Sequence, residues 1–120
     1  MSKLYWVRWS GTIGDESGAF DSTDPSVRAF LRALSLEFSR SDVLNQYAIV
    51  CPGDGTVSMS SVFSAANSGE AVNKAKDAFE AAIDRAGGSG TLPDGNDPSW
   101  QVREIVRLFE AQVRELARAA

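Results

Sequence analysis

The segment QYAIVCPGDGTVSMSSVF, residues 46–63, contains two strand-like runs on either side of a Gly-rich connection. The runs 46–51 and 56–63 are rich in β-branched, aromatic and other apolar residues, and PGDG between them is typical of a tight turn. A hairpin joins neighbouring antiparallel strands, so this segment indicates an antiparallel sheet rather than a regular series of β-α-β units.

The second run of the hairpin alternates apolar and polar residues. Val57 and Met59 alternate with Ser58 and Ser60, so we expect one face of this strand to be in contact with water. Val62 and Phe63 stand next to each other and break the alternation. The break predicts a β-bulge near Ser60 and Ser61.

KLYWVRW, residues 3–9, predicts a further strand at the start of the chain. Its alternating positions form two bulky faces, one with Tyr5, Val7 and Trp9 and the other with Leu4, Trp6 and Arg8. Either the strand is covered on both sides, or Trp6 lies at a contact surface.

Two segments with helical periodicity flank the hairpin. The first begins at Thr23-Asp24-Pro25, where a capping oxygen precedes a proline in the first turn. Its apolar residues have the spacing of one helix face and are Val27, Phe30, Leu31, Leu34 and Phe38. The second segment, residues 67–88, has a capping Asn67 or Ser68 before Glu70 and ends in two glycines. It carries an alanine ridge that allows close packing on a sheet.

The predicted order of elements is β-α-β-β-α, followed by a third helix. We therefore predict an α+β fold, in which helices lie on one face of a small antiparallel three-stranded sheet. A three-stranded sheet leaves an open edge unless a loop or a second chain covers it. The predicted organisation is an α+β domain at residues 1–88, a flexible linker at 89–99 and an amphipathic C-terminal helix at 100–120.

The predicted C-terminal helix, WQVREIVRLFEAQVRELARAA, has an apolar stripe and a row of arginines. A water-exposed stripe of this length favours aggregation, so we expect it to pack against its own domain, a second copy or another protein. The predicted protein-binding residues are Trp6, Trp100, Val102, Ile105, Phe109, Val113 and Leu116. The candidate anion-binding residues are Arg103, Arg107, Arg114 and Arg118, although interspersed charges on a solvated face explain the same row.

Composition limits the classes of function. The chain has 120 residues, of which 43% are hydrophobic, so it is long enough to bury one core. Its net charge of −4 argues against general binding to nucleic acids or anionic membranes. Its single cysteine, Cys51, and the lack of any long apolar run predict a cytoplasmic protein.

Residues with obvious catalytic chemistry are scarce. The sequence contains no histidine, which removes the commonest general base and most catalytic zinc sites. The acidic clusters at residues 15–24 and 94–97 do not have the spacing of a calcium loop. GTIGDESG lacks the lysine of a phosphate-binding loop. We therefore predict no enzymatic activity, no catalytic residues, no metal site and no cofactor.

These features predict a small protein–protein interaction module that acts through its C-terminal helix and its aromatic first strand. A homodimer is one candidate assembly, and membrane binding is not expected. The alternative is a nucleic-acid-binding regulator that uses the arginine row. Nine arginines to three lysines, with abundant alanine, suggest a GC-rich genome such as that of an actinobacterium or one of its phages.

Overall fold

The computed structural model describes residues 2–12, 25–52, 55–88 and 91–105. These residues form four strands and two helices, in the chain order β1 (Lys3–Thr12), α1 (Pro25–Arg40), β2 (Asn45–Val50), β3 (Thr56–Ala65), α2 (Ser68–Arg85) and β4 (Trp100–Ile105). The class is α+β, as predicted, but the sheet has four strands instead of three.

The strands form one antiparallel sheet in the order β2-β3-β1-β4. The β-α-β-β-α-β order with this arrangement is the split β-α-β topology known as ferredoxin-like. The pairing of β2 with β3 confirms the predicted hairpin, and β1 confirms the predicted N-terminal strand. Both helices pack on the same face of the sheet, where they share one core with it.

The predicted bulge occurs at the expected level of the hairpin, but on the other strand. Asn45 pairs with Val62 and Ala48 pairs with Ser60, so two residues of β2 lie opposite Ser61 alone. The first of the two, Gln46, has a φ of +49°. Because the extra residue lies on β2, β3 keeps its alternation without interruption, and Ser61 is fully buried on the core face.

The predicted C-terminal helix is wrong for residues 100–105, which form β4. This strand pairs antiparallel with β1 from Leu4 opposite Ile105 to Trp9 opposite Trp100. The remainder of the predicted helix, residues 106–120, lies outside the described residues.

The error has a physical reason. WQVREI is compatible with both periodicities, since Val102 and Ile105 fit a helical stripe while Trp100 and Val102 fit an alternating strand. Without β4, β1 would pair only with β3, and the backbone N–H and C=O groups on its other side would have no partner in the sheet. Pairing with β4 supplies them, so a long-range interaction overrides the helical periodicity.

The core is built around Phe79 of α2, whose side chain is fully buried. Its ring lies nearly parallel to those of Phe38 on α1 and Trp100 on β4, with centroid separations of 5.6 and 6.1 Å. The ring of Phe63 on β3 meets it edge-on at 6.0 Å. One side chain thus contacts a helix and two strands, and aromatic pairs in these geometries add to the gain from burial.

Local signals set both ends of α2. The side chain of Asn67 accepts a hydrogen bond from the Glu70 amide at 2.9 Å, as predicted for a capping residue. At the other end Gly87 has a φ of +90°, and the Gly88 amide donates to the Ile83 carbonyl. A Cβ on Gly88 would collide with the ring of Phe30, so this turn also brings α1 and α2 together.

Residues 91–99 lie along α2 and lead into β4. The Leu92 side chain is buried, and its amide donates to the Glu80 carboxylate at 2.8 Å. Gly95 lies so close to Val72 that a Cβ would collide with it. The turn that follows is closed by Asp97, which accepts a hydrogen bond from the Ser99 amide at 2.9 Å, and this bond lowers the pKa of the carboxyl.

We predict that Phe79→Ala lowers the free energy of unfolding by about 3–5 kcal/mol, the usual cost of removing a fully buried Phe. The matched control is Leu36→Ala on α1, whose side chain is 47% exposed and should cost less than about 1 kcal/mol. Urea denaturation followed by circular dichroism measures both. Equal losses for the two variants would contradict the central position of Phe79.

Candidate functional site

The two faces of the sheet differ in what covers them. One face carries Tyr5, Val7, Met59 and Phe63 and is buried under both helices. No described helix lies over the opposite face, which we call the outer face. By alternation and register, its residues are Leu4, Trp6, Arg8, Ser10, Thr12, Ala48, Val50, Thr56, Ser58, Ser60, Val62, Ser64, Gln101, Arg103 and Ile105.

The outer face is apolar at one end. Ile105 lies opposite Leu4 at the start of β1, and these side chains are 39% and 49% exposed. In the next cross-strand row, Trp6 lies between Arg103 on β4 and Val62 on β3. We call Leu4, Trp6, Val62 and Ile105 the apolar end.

On β1 and β3 the other end of the outer face is polar. There Ser10 lies opposite Ser58, and Thr12 lies opposite Thr56. Along β1 and β3 the face thus changes from large apolar side chains to hydroxyl groups. On the edge strand β2, Val50 lies opposite Ser58 at this end and is 53% exposed.

The charge of the outer face is opposite to that of the chain. The sequence has 16 acidic and 12 basic residues, yet the outer-face positions hold two arginines, Arg8 and Arg103, and no carboxylate. The Arg8 guanidinium lies 5.6 Å from the centre of the Trp6 ring, within the range of a cation–π contact. Its Nε is buried and has no acceptor among the described residues.

The structure separates the sequence-predicted contact residues into three groups. Trp6, Arg103 and Ile105 come together on the outer face. Trp100 and Val102 lie on the core face of β4. The others lie outside the described residues and are Arg107, Phe109, Val113, Arg114, Leu116 and Arg118.

Trp100 has a structural role in the core. Its side chain is 8% exposed and stacks on Phe79, and its indole N–H donates to the Pro93 carbonyl at 3.0 Å. This side chain holds β4 against α2 and also fixes the segment that leads into the strand. It is therefore enclosed by its own fold and does not face the surface that carries Trp6.

The acidic residues of the turn before β4 have local structural roles. Asp94 and Asp97 accept hydrogen bonds from the amides of Asn96 and Ser99 within the turn before β4. Among the described residues, no three Asp, Glu or Cys side chains lie close enough together to hold a metal ion. The cluster at residues 15–24 lies outside the described residues. Neither described helix has the length and apolarity needed to cross a membrane.

Sequence reasoning placed Leu4, Trp6 and Arg8 on one face of the first strand, but it selected only Trp6 as a contact residue and did not include Val62. The alternation of KLYWVRW places Leu4, Trp6 and Arg8 on one face, and this signal was available. The sequence did not show which residues of β3 and β4 lie beside Trp6, because this depends on which strands flank β1.

We predict that Trp100→Phe costs about 1–3 kcal/mol of stability, because it leaves the part-buried Pro93 carbonyl without its donor. Trp6→Phe removes no hydrogen bond that the structure describes and should cost less than about 1 kcal/mol. Thermal or urea unfolding of the two variants tests the difference. A larger loss for Trp6→Phe would argue against the assignment of Trp100 to the core and Trp6 to the surface.

Comparison with known proteins gives no match: no family model fits the chain, and no curated protein and no solved structure is significantly similar to it. The chemistry of the outer face is therefore the basis for assigning a function.

Proposed function

We propose that the protein is a small cytoplasmic protein-binding module whose contact surface is the outer face of its sheet. The observation that supports this most directly is the apolar end, where Trp6 lies among Leu4, Val62 and Ile105 and no described helix covers them. A contiguous apolar surface of this kind is typical of an interaction site, whereas isolated exposed apolar side chains are not.

The composition of the surface supports protein recognition. The cores of protein interfaces are enriched in aromatic residues and arginine and depleted in lysine, glutamate and aspartate. The outer face has Trp6, Arg8 and Arg103 and no lysine, glutamate or aspartate, although it also carries four serines, a type that interface cores lack as well. Tryptophan and arginine also dominate the small set of residues that supply most of the binding energy in such interfaces. Trp6, with Arg8 beside it, is therefore the proposed centre of the contact.

Further predicted contact residues follow β4 in the sequence. The predicted contacts Phe109, Val113 and Leu116 begin four residues after Ile105, at the apolar end. The partner can be a different protein or a second copy of the chain, and a homodimer would be detected as a doubled mass in light scattering.

The proposal predicts site-specific cross-linking through the outer face. Leu4 is replaced by a photoreactive phenylalanine analogue in the full chain, and the same analogue is placed at Asn73 on the exposed surface of α2 as a matched control. We expect the analogue at position 4 to form a covalent adduct with one defined protein, and the analogue at position 73 to form none. The adduct from position 4 should be lost when Trp6→Asp is introduced into the same chain. Mass spectrometry identifies the adduct.

The adducted protein is then purified and its affinity is measured. Trp6→Asp should weaken binding by about 30-fold or more, the effect of losing a central interface residue worth about 2 kcal/mol. Asn73→Asp adds the same charge on α2 and should leave affinity unchanged. Equal adducts from both positions, or unchanged affinity in Trp6→Asp, would rule out the outer face as the contact surface.

The second candidate function is binding of single-stranded nucleic acid. It is favoured by the positive charge of the outer face in an otherwise acidic chain and by an aromatic ring on which a base could stack. The predicted arginine row in residues 103–118 would add phosphate contacts. The overall net charge of −4 opposes this function, which is why it is the second candidate.

If this candidate is correct, the chain binds a short fluorescent single-stranded DNA, and the affinity falls steeply between about 50 and 200 mM salt. Arg8→Glu combined with Arg103→Glu should abolish that binding. Arg28→Glu combined with Arg32→Glu changes the charge equally on the exposed side of α1 and should retain most of it. Fluorescence anisotropy measures all three proteins, and weak binding that does not depend on salt would exclude this function.

A further inference from the structure

Trp6 lies beside both arginines of the outer face. Arg8 is the next residue of β1 on this face, and its guanidinium lies over the Trp6 ring at 5.6 Å from the ring centre. Arg103 is directly opposite Trp6 on β4 and is exposed. Because Arg8 pairs with Gln101, Arg8 and Arg103 are diagonal neighbours, a separation that long side chains can bridge. We call Trp6, Arg8 and Arg103 the arginine site.

Neither arginine of this site has a carboxylate partner among the described residues. The ion pairs that the structure describes all use lysines, and they are Lys3–Glu104, Lys74–Glu70 and Lys76–Glu80. Glu104 is next to Arg103 in the sequence, but it lies on the core side of β4 and pairs with Lys3 at 3.6 Å. Two neighbouring positive charges therefore repel each other on the outer face, and an anion between them would turn this repulsion into attraction.

The surroundings of Arg8 favour a strong interaction with an anion. Its Nε is buried and has no acceptor among the described residues. Since the guanidinium is partly buried over an aromatic ring, it has already lost part of its hydration, and less is lost when an anion binds its terminal nitrogens. Arginine also suits a carboxylate in particular, because its planar fork can donate two parallel hydrogen bonds to the two oxygens.

The surroundings of the arginine site favour a protein carboxylate over the phosphate of a nucleic acid. One side of the Trp6 ring is occupied by the Arg8 guanidinium, so a base cannot stack on that side. Leu4 and Ile105 form the neighbouring row, and their exposed side chains suit an apolar contact. The net charge of −4 repels a polyanion as a whole, whereas a single acidic side chain meets mainly the local positive charge.

The spacing between the charged and apolar parts matches an extended protein segment. The arginine site is level with Trp6, because Arg103 is opposite Trp6 and the Arg8 guanidinium lies over its ring. Leu4 is two residues before Trp6, which corresponds to about 7 Å along β1 at about 3.4 Å per residue. An extended segment repeats its side chains on one side at the same interval. An acidic residue at the arginine site therefore places the side chain two positions away over Leu4.

We infer that the protein partner presents an acidic side chain to the outer face, with its carboxylate bound between Arg8 and Arg103 and an apolar side chain two positions away packed on Leu4 and Ile105. This assignment gives the chemistry of the contact, and it rests on the proposed function for the statement that the partner is a protein. Trp6 holds the Arg8 guanidinium in place and separates the charged contact from the apolar one.

A defined peptide tests this site on the full chain. The probe is a short capped peptide with glutamate at its centre, serine on either side and leucine at both ends, so that it suits either direction of binding. The control peptide has glutamine in place of glutamate. Titrations followed by nuclear magnetic resonance measure both affinities. We expect the glutamate peptide to bind about 10-fold more tightly, the effect of a hydrogen bond between charged groups.

Two variants with the same change of charge separate the arginine site from the general electrostatics of the chain. Arg8→Gln should remove the preference for the glutamate peptide. The matched control Arg32→Gln, on the exposed side of α1, should retain it. Equal affinities of the unmodified chain for the two peptides, or an equal loss of preference in the two variants, would overturn the inference.

A second readout uses the unmodified chain, so it does not depend on how the variants fold. The side-chain Nε–H resonances of Arg8 and Arg103 should shift with the glutamate peptide and remain in place with the glutamine peptide. Inorganic phosphate is titrated separately. If phosphate moves these resonances at a lower concentration than the glutamate peptide does, the site prefers phosphate, and the result would favour the nucleic-acid candidate instead.

The carboxylate contact and the proposed function can fail separately. The peptides decide which chemistry the arginine site accepts, whereas cross-linking from position 4 decides whether a protein binds there. A protein adduct without any preference for the glutamate peptide would overturn the carboxylate contact alone. A preference for the glutamate peptide without an adduct would retain the carboxylate chemistry of the site and remove the protein partner.

Discussion

The stacking of aromatic rings on Phe79 determines how the rest of the molecule is arranged. Phe38, Phe63 and Trp100 bring α1, β3 and β4 to the same point on α2. The alanines of α2, among them Ala71, Ala75 and Ala82, are buried and allow the helix to approach the sheet closely enough for these contacts. Because the apolar side chains of both helices are concentrated on this one face of the sheet, none of the described helices is left to cover the other.

That asymmetry explains the chemistry of the outer face. The chain is acidic, yet this sheet face has no carboxylates. The acidic residues lie elsewhere, among other places on α2, in the turn before β4 and in the segments outside the described residues. The few positive groups on the face are concentrated around Trp6. The combination suits a partner that is apolar where it meets Leu4 and Ile105 and negatively charged where it meets Arg8 and Arg103.

Much of the fold could be predicted from local sequence because its signals are local. The capping residue Asn67, the two glycines after α2 and the alternation around Val57 and Met59 each determine structure within a few residues. β4 could not be predicted in this way, since Val102 and Ile105 fit a helix as well as a strand and the choice depends on pairing with β1. The candidate site followed the same division. Trp6 was identified from β1 alone and Arg103 was a candidate from the arginine row, but the position of Arg103 and Val62 beside Trp6 follows only from strand order.

The bulge in β2 has a consequence for self-assembly. An edge strand with a regular row of free N–H and C=O groups can pair with a strand of another molecule, and long fibrous aggregates begin in this way. In β2 the extra residue and the left-handed backbone of Gln46 interrupt that row near its start. The edge therefore offers only a short stretch, residues 48–50, in register for such pairing. The fold can therefore leave apolar side chains exposed on one sheet face while one border of the sheet resists growth into a fibril.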